Sequence, residues 1–152
     1  MKIILMIAFG FVIFTTGCAK KEMGCTPVPP QAEEPQIIAY ASSNGIIAVK
    51  HSSGIYYQII TPGSGVTPTN QSLITVSYAG KFLNNMPSDQ SDNYSKKLGE
   101  LIEGWQIGIP LIKKGGEIKL IIPSSLAYGC NGKESVPSNS VLYYDVTLKD
   151  VQ

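Results

Sequence analysis

The sequence predicts an α+β fold, an antiparallel β-sheet wrapped around one short α-helix. Two observations carry that expectation. Strand signals dominate, because short apolar or alternating runs recur between clusters of Gly, Pro, Asn and Ser. A single internal stretch has helical spacing instead, with apolar residues at Ile102, Trp105, Ile109 and Ile112. A mostly-β chain with one such helix buries both apolar surfaces by folding the sheet over the helix.

The chain opens on a segment of another kind. Lys2 precedes an almost wholly apolar run, Ile3 to Phe14, and the small residues Thr15-Thr16-Gly17 stand before Cys18. A charged start, an apolar centre and small residues at a cleavage point make residues 1–17 a signal peptide. The run falls short of the roughly 20 residues a spanning helix needs. A Cys directly after it is similar to the lipobox of bacterial lipoproteins, with Thr15 where Leu is usual. Cys18 is therefore expected to carry lipid, the plainer alternative being an ordinary secretory signal cut nearby. Residues 18–45 read as a lipid-anchored tether with a short helix. Ala19 to Gln31 is polar and Pro-rich, with too little apolar surface to offset its ordering entropy. Glu33-Glu34 followed by Ile37, Ile38 and Tyr40 predicts the helix, with acids in its first turn and Asn44-Gly45 closing it.

The main domain is expected over residues 46–152. Ile46–Val49 and Ile55–Ile60 flank Ser52-Ser53-Gly54 as a hairpin, and Pro62-Gly63-Ser64-Gly65 is a turn. Leu73 to Tyr78 alternates as a half-buried strand does. Asn84 to Asn93 is polar and predicts a loop. Pro110 limits the helix to about two turns. Glu117–Ile122 and Val141–Val151 supply the last strands.

Composition excludes several classes. Once Lys2 leaves with the signal segment, eleven Lys face eleven acidic residues, and the chain has no Arg. Nucleic-acid binding needs a basic face to displace phosphate counterions, and none is present. His51 is the sole histidine, near a hairpin turn. No G-x-S-x-G elbow, phosphate loop or H-E-x-x-H occurs, and two cysteines without a neighbouring His make no zinc site. With Cys18 lipidated, Cys25 and Cys130 remain. An oxidising compartment permits a bridge between them, but the plainer reading is two unpaired thiols, because Cys25 falls in the tether.

The residues that carry chemistry come in a fixed order. Val76-Ser77-Tyr78-Ala79-Gly80 precedes Glu103-Gly104-Trp105; then come Leu126-Ala127-Tyr128-Gly129, Val136-Pro137 and Leu142-Tyr143-Tyr144-Asp145-Val146. This order, over roughly Gly54 to Val151, resembles the FKBP-type peptidyl-prolyl cis–trans isomerases. The resemblance implies an FKBP-like fold and turnover of Xaa-Pro bonds, with no cofactor and no metal. It implies that Trp105 floors a proline pocket and that Tyr78, Tyr94 and Tyr144 wall it. Leu101 and Ile102 match the segment where one backbone N–H holds a substrate carbonyl. Tyr128 matches the tyrosine whose hydroxyl contacts that carbonyl, Val136 an apolar residue of the covering loop, and Asp89 the acid of the family's Phe-Asp pair. Implied partners are proline-containing polypeptides and macrolides of the rapamycin type, with the membrane reached through the N-terminal lipid.

The match has departures. Ser88 stands where the Phe of that pair is expected, Lys96 where relatives commonly carry an aromatic, and Asn84-Asn85-Met86-Pro87 replaces an acidic-Gly turn. Met86 is a candidate to fill the lost apolar wall. Ser88 and Lys96 favour, as the alternative, a proline-peptide binding module or chaperone with weak or no turnover. Ala19 after the Cys gives no inner-membrane retention signal, which leans the expected location to the outer membrane of a bacterial envelope.

Overall fold

The computed structural model describes residues 24–152, so the expected signal peptide and Cys18 lie outside the described residues. Helix α1 spans Pro30–Ser43. Strands follow at β1 (Val49–Lys50), β2 (Tyr56–Thr61), β3 (Leu73–Phe82) and β4 (Pro87–Lys97), then helix α2 (Glu103–Gly108), β5 (Glu117–Ile122) and β6 (Leu142–Val151). They form one six-stranded sheet in the order β1-β2-β5-β6-β3-β4. Every neighbouring pair is antiparallel. The expected α+β class is what the chain adopts.

Each face of the sheet is buried by a helix. Ile118, Leu120 and Ile122 of β5 and Leu142, Tyr144, Val146 and Leu148 of β6 point to one side, where they pack with Trp105, Ile109 and Ile112. The residues between them, Ile121 and Tyr143, point to the other side and meet Ile37, Tyr40 and Ala41 of α1. The run Leu120-Ile121-Ile122 breaks strict alternation because both faces are covered there. The helix over 102–112 is short as expected: α2 ends at Gly108 and Pro110 sits in a 3₁₀ turn, Ile109–Leu111.

The short helix expected after Glu33-Glu34 forms as α1, and it docks on the sheet with Ile37 fully buried. Burying an aliphatic side chain of that size contributes about 1.5–3 kcal/mol, and Tyr40 and Ala41 of α1 are buried beside it. The stretch over 84–93 is not all loop, because β4 begins at Pro87. β4 is an edge strand with polar residues on both faces, so it shows no alternation; its ladder to β3 makes it a strand. Cys25 and Cys130 are not unpaired. They form a disulfide with Cα atoms 5.4 Å apart, bridging a sequence separation of 105 residues. The docking of α1 brings Cys25 to the loop after Tyr128. In the chain-entropy account a loop of that length stabilises by about 4–5 kcal/mol.

Helix α2 lies close on β5 because its contact face is Gly104 and Gly108. A Cβ at Gly104 would run into Ile122, and one at Gly108 would stand 2.5 Å from Leu120 Cδ2. Alanine at an unconstrained helix position gains about 1 kcal/mol over glycine. Here the overlap reverses the sign, and Gly104→Ala and Gly108→Ala should each destabilise by about 1–3 kcal/mol in urea unfolding.

Candidate active site

The site forms where α2 meets the open end of the sheet. Tyr78 comes from β3, Asp89 and Tyr94 from β4, Tyr144 from β6 and Trp105 from α2. Leu101 and Ile102 lead into α2, and Tyr128 follows a 3₁₀ turn, Ser124–Leu126. These eight residues and Lys133 line a cavity of about 130 Å³. All the residues singled out from the sequence meet there except Val136. Val136 lines an adjoining depression with Ser88, Glu134 and Ser135, and the two depressions share Asp89, Tyr128, Lys133 and Tyr144.

Aromatic rings make the cavity floor and walls. Trp105 meets Tyr78 edge-on at 5.1 Å between centroids and Tyr144 edge-on at 5.3 Å. Tyr94 closes on Tyr78 at 5.9 Å. Such edge-to-face pairs place positive ring edges against negative faces, adding about 0.5–1.5 kcal/mol each beyond area burial. Gly80 opposite Tyr144 makes room for the ring: a Cβ there would lie 2.6 Å from Tyr144 Cε1 and 2.7 Å from Ser88 Oγ.

Hydrogen bonding sorts the donors. The Tyr78 hydroxyl donates to Asp89 Oδ2 at 2.6 Å, so its proton is engaged. Leu101 N–H donates to the Leu98 carbonyl at 3.1 Å. The Ile102 N–H and the Tyr128 hydroxyl have no hydrogen-bond partner among the described residues. Trp105 Nε1 is buried without one. The cavity thus presents free donors among aromatic walls. Burial is the first cause that pushes the phenols of Tyr78, Tyr128 and Tyr144 above the usual tyrosine range. Asp89 pushes Tyr78 and Tyr128 further the same way, so both remain protonated donors at neutral pH.

Of the departures, Ser88 lines the adjoining depression, while Met86 and Lys96 lie away from the cavity. Met86 is 60% exposed and lines a separate depression with Phe82, Leu83 and Val141, so it does not fill the gap left at Ser88. Ser88 Oγ is buried and unpartnered beside the cavity. Lys96 lies 3.9 Å from Glu100 in an exposed pair and does not line the site. Sequence reasoning missed Lys133, whose Nζ sits 5.6 Å from the Tyr128 ring centroid. It is carried inward by the tight turn Lys133–Val136, closed by N–H to carbonyl bonds of 2.9 and 2.7 Å. The turn-forming pair Asn131-Gly132, whose glycine has a φ of 66°, is the sequence signal that could have suggested that turn.

The sequence model described as FKBP-type peptidyl-prolyl cis-trans isomerase matches residues 65–149. The chain belongs to this family. FkpA of Escherichia coli K12, named an FKBP-type peptidyl-prolyl cis-trans isomerase, is 40% identical over 105 residues. The match covers 66% of this chain and 39% of that relative, so the chain corresponds to about two-fifths of its length. The FkpA crystal structure superposes with a TM-score of 0.73 at 34% identity, covering 80% of this chain and 60% of the other. A peptidyl-prolyl cis-trans isomerase from Pseudomonas syringae pv. tomato gives 0.69 at 25% identity, covering 84% and 98%. The FKBP architecture accounts for the sheet and for α2.

Ionising a raised phenol costs folded-state stability. The contribution is complete below the unfolded tyrosine pKa of about 10 and is lost as pH rises toward the higher folded value. Tyr144, only 4% exposed, should therefore not ionise in the native state. Absorbance at 295 nm should show its phenolate, with those of Tyr78 and Tyr143, appearing together with alkaline unfolding.

Proposed function

We propose that this chain is a peptidyl-prolyl cis–trans isomerase acting on Xaa-Pro bonds of exported polypeptides. One observation carries the reading: a small aromatic cavity holds unengaged donors and needs no acid–base pair. The peptide C–N bond resists rotation by about 18–20 kcal/mol because of resonance. In the rotated transition state conjugation is lost and the carbonyl oxygen carries less negative charge. Water stripped from the amide by Trp105, Tyr78, Tyr94 and Tyr144 therefore penalises the planar ground state more than the twisted one. The Ile102 N–H and the Tyr128 hydroxyl supply hydrogen bonds held ready for that geometry. Asp89 acts on the cavity by accepting the hydrogen bond of the Tyr78 hydroxyl, and Val136 borders the covering loop.

The alternative is a proline-peptide binding module, or a chaperone, with weak turnover. Ser88 favours it, because a hydroxyl stands where an apolar wall is expected. Losing a phenyl-sized wall forgoes about 1.5–3 kcal/mol of burial, which is ten- to a hundredfold in rate if expressed in the transition state. Macrolides of the rapamycin type would occupy the same cavity. Anchoring through a lipid on Cys18, with the domain at the outer membrane, belongs to this proposal and rests on the sequence of residues 1–18. Two or more acyl chains hold a protein stably where one does not.

Exchange NMR on an Ala-Pro-Phe peptide with catalytic amounts of the protein tests the reading. Catalysed exchange should fall about two- to tenfold in Tyr128→Phe, the worth of one hydrogen bond, and more in Trp105→Ala. Ser88→Phe should raise it. Peptide-dependent Trp105 fluorescence without catalysed exchange would instead establish the binding module. For the anchor, Cys18→Ser should move the expressed protein from the detergent phase to the aqueous phase. An unchanged partition would exclude lipid at that residue.

A further inference from the structure

Cys25 and Glu33 both fasten the N-terminal segment to the stretch that carries Tyr128. The Glu33 carboxylate, in a residue only 2% exposed, accepts the Ser124 N–H at 2.8 Å. Cys25 is bonded to Cys130. One fastening thus precedes Tyr128 by four residues and the other follows it by two. The intervening stretch contains Pro27, Pro29 and Pro30, which fix φ and stiffen it. Pro29 is extended, with φ −68° and ψ 144°. Pro30 rests against Gly54, where a Cβ would lie 2.9 Å from Pro30 Cβ. The docking of α1 does not require Glu33, since Ile37, Tyr40 and Ala41 already bury its apolar face. A buried carboxylate is costly unless hydrogen-bonded, and the bond this one makes is to the backbone of the site loop.

We propose that residues 25–33 form a stiff strap that holds the Ser124–Cys130 segment and so sets where the Tyr128 hydroxyl stands in the cavity. Glu33 and the Cys25–Cys130 bridge are positioning groups. The role given to Tyr128 rests on the isomerase reading above. A dithiol reductant would release one end of the strap: two electrons and two protons pass to the bridge, leaving two thiols, while the reductant closes to a cyclic disulfide. Cys25 is exposed and open to such attack. The geometry of the site is thereby tied to an oxidising surrounding.

The test compares the full chain with Glu33→Gln, Glu33→Ala and the Cys25→Ser/Cys130→Ser pair, each with and without Tyr128→Phe. Amide exchange over residues 124–131 should speed by about tenfold in Glu33→Ala and in the Cys pair, with β5 and β6 protected as before. The catalysed rate at saturating peptide should fall by about two- to tenfold, no further than Tyr128→Phe takes it, while peptide affinity holds. Glu33→Gln keeps an acceptor oxygen and should restore most of the rate. Tyr128→Phe should cost little more once the strap is gone. Unchanged amide exchange, or a Tyr128→Phe effect of the same size with and without the strap, would overturn the proposal. If the wild-type chain catalyses no exchange, the isomerase reading fails. The strap is then judged on amide exchange and on Tyr128-dependent peptide affinity from Trp105 fluorescence, where the same two null results overturn it.

Discussion

The edge-on contacts of Trp105 with Tyr78 and Tyr144 fasten helix α2 to the sheet and floor the cavity in the same stroke. Those rings can meet only because α2 lies close on β5, which depends on Gly104 and Gly108, and because Gly80 leaves room for Tyr144. The core and the site are therefore one packing problem. Ile109 and Ile112 continue below Trp105 into the apolar layer of β5 and β6, so the cavity is the open end of the hydrophobic core. A wall built this way is rigid, since moving one ring displaces the core beneath it.

That rigidity suits a reaction in which no proton moves. The cavity carries hydroxyls and one backbone N–H, and its phenols are held protonated by burial. Charge enters only at the rim, through Asp89 and Lys133. Asp89 accepts the hydrogen bond of the Tyr78 hydroxyl and leaves Tyr128 unengaged, so the two tyrosines are distinguished by their neighbours and not by their chemistry. The same environment would bind a proline ring whether or not rotation followed, and Ser88 is where the two outcomes separate.

Much of this was legible in the chain because the informative residues are rare ones in a fixed order. Trp105 is the only tryptophan, and Gly-Trp followed by Ala-Tyr-Gly leaves little freedom in where the aromatic walls can stand. β4 was not legible, since Pro87 to Lys97 is polar on both faces and is made a strand by its partner β3. The Cys25–Cys130 pairing was hidden for a related reason. It depends on where α1 docks, and that is set by Ile121 and Tyr143 on a face of the sheet that the block EIKLII does not announce. Glu33 could be placed in the first turn of α1, yet its burial against Ser124 follows from tertiary position alone. Lys133 had no signal beyond the nearby Asn131-Gly132 pair.

The two free edges of the sheet bear on how a partly unfolded polypeptide would meet this domain. β1 has only two residues, and β4 is polar on both faces with its ladder to β3 broken by register shifts. Neither is the long, flat, apolar template onto which another chain adds as a further strand. A client rich in exposed β-forming segments would thus find no apolar, regular edge to zip against, and capture would be confined to the short stretch around a proline. On the isomerase reading proposed above, contact of that size would be brief, and the domain would leave one client for the next without offering it an edge to aggregate on.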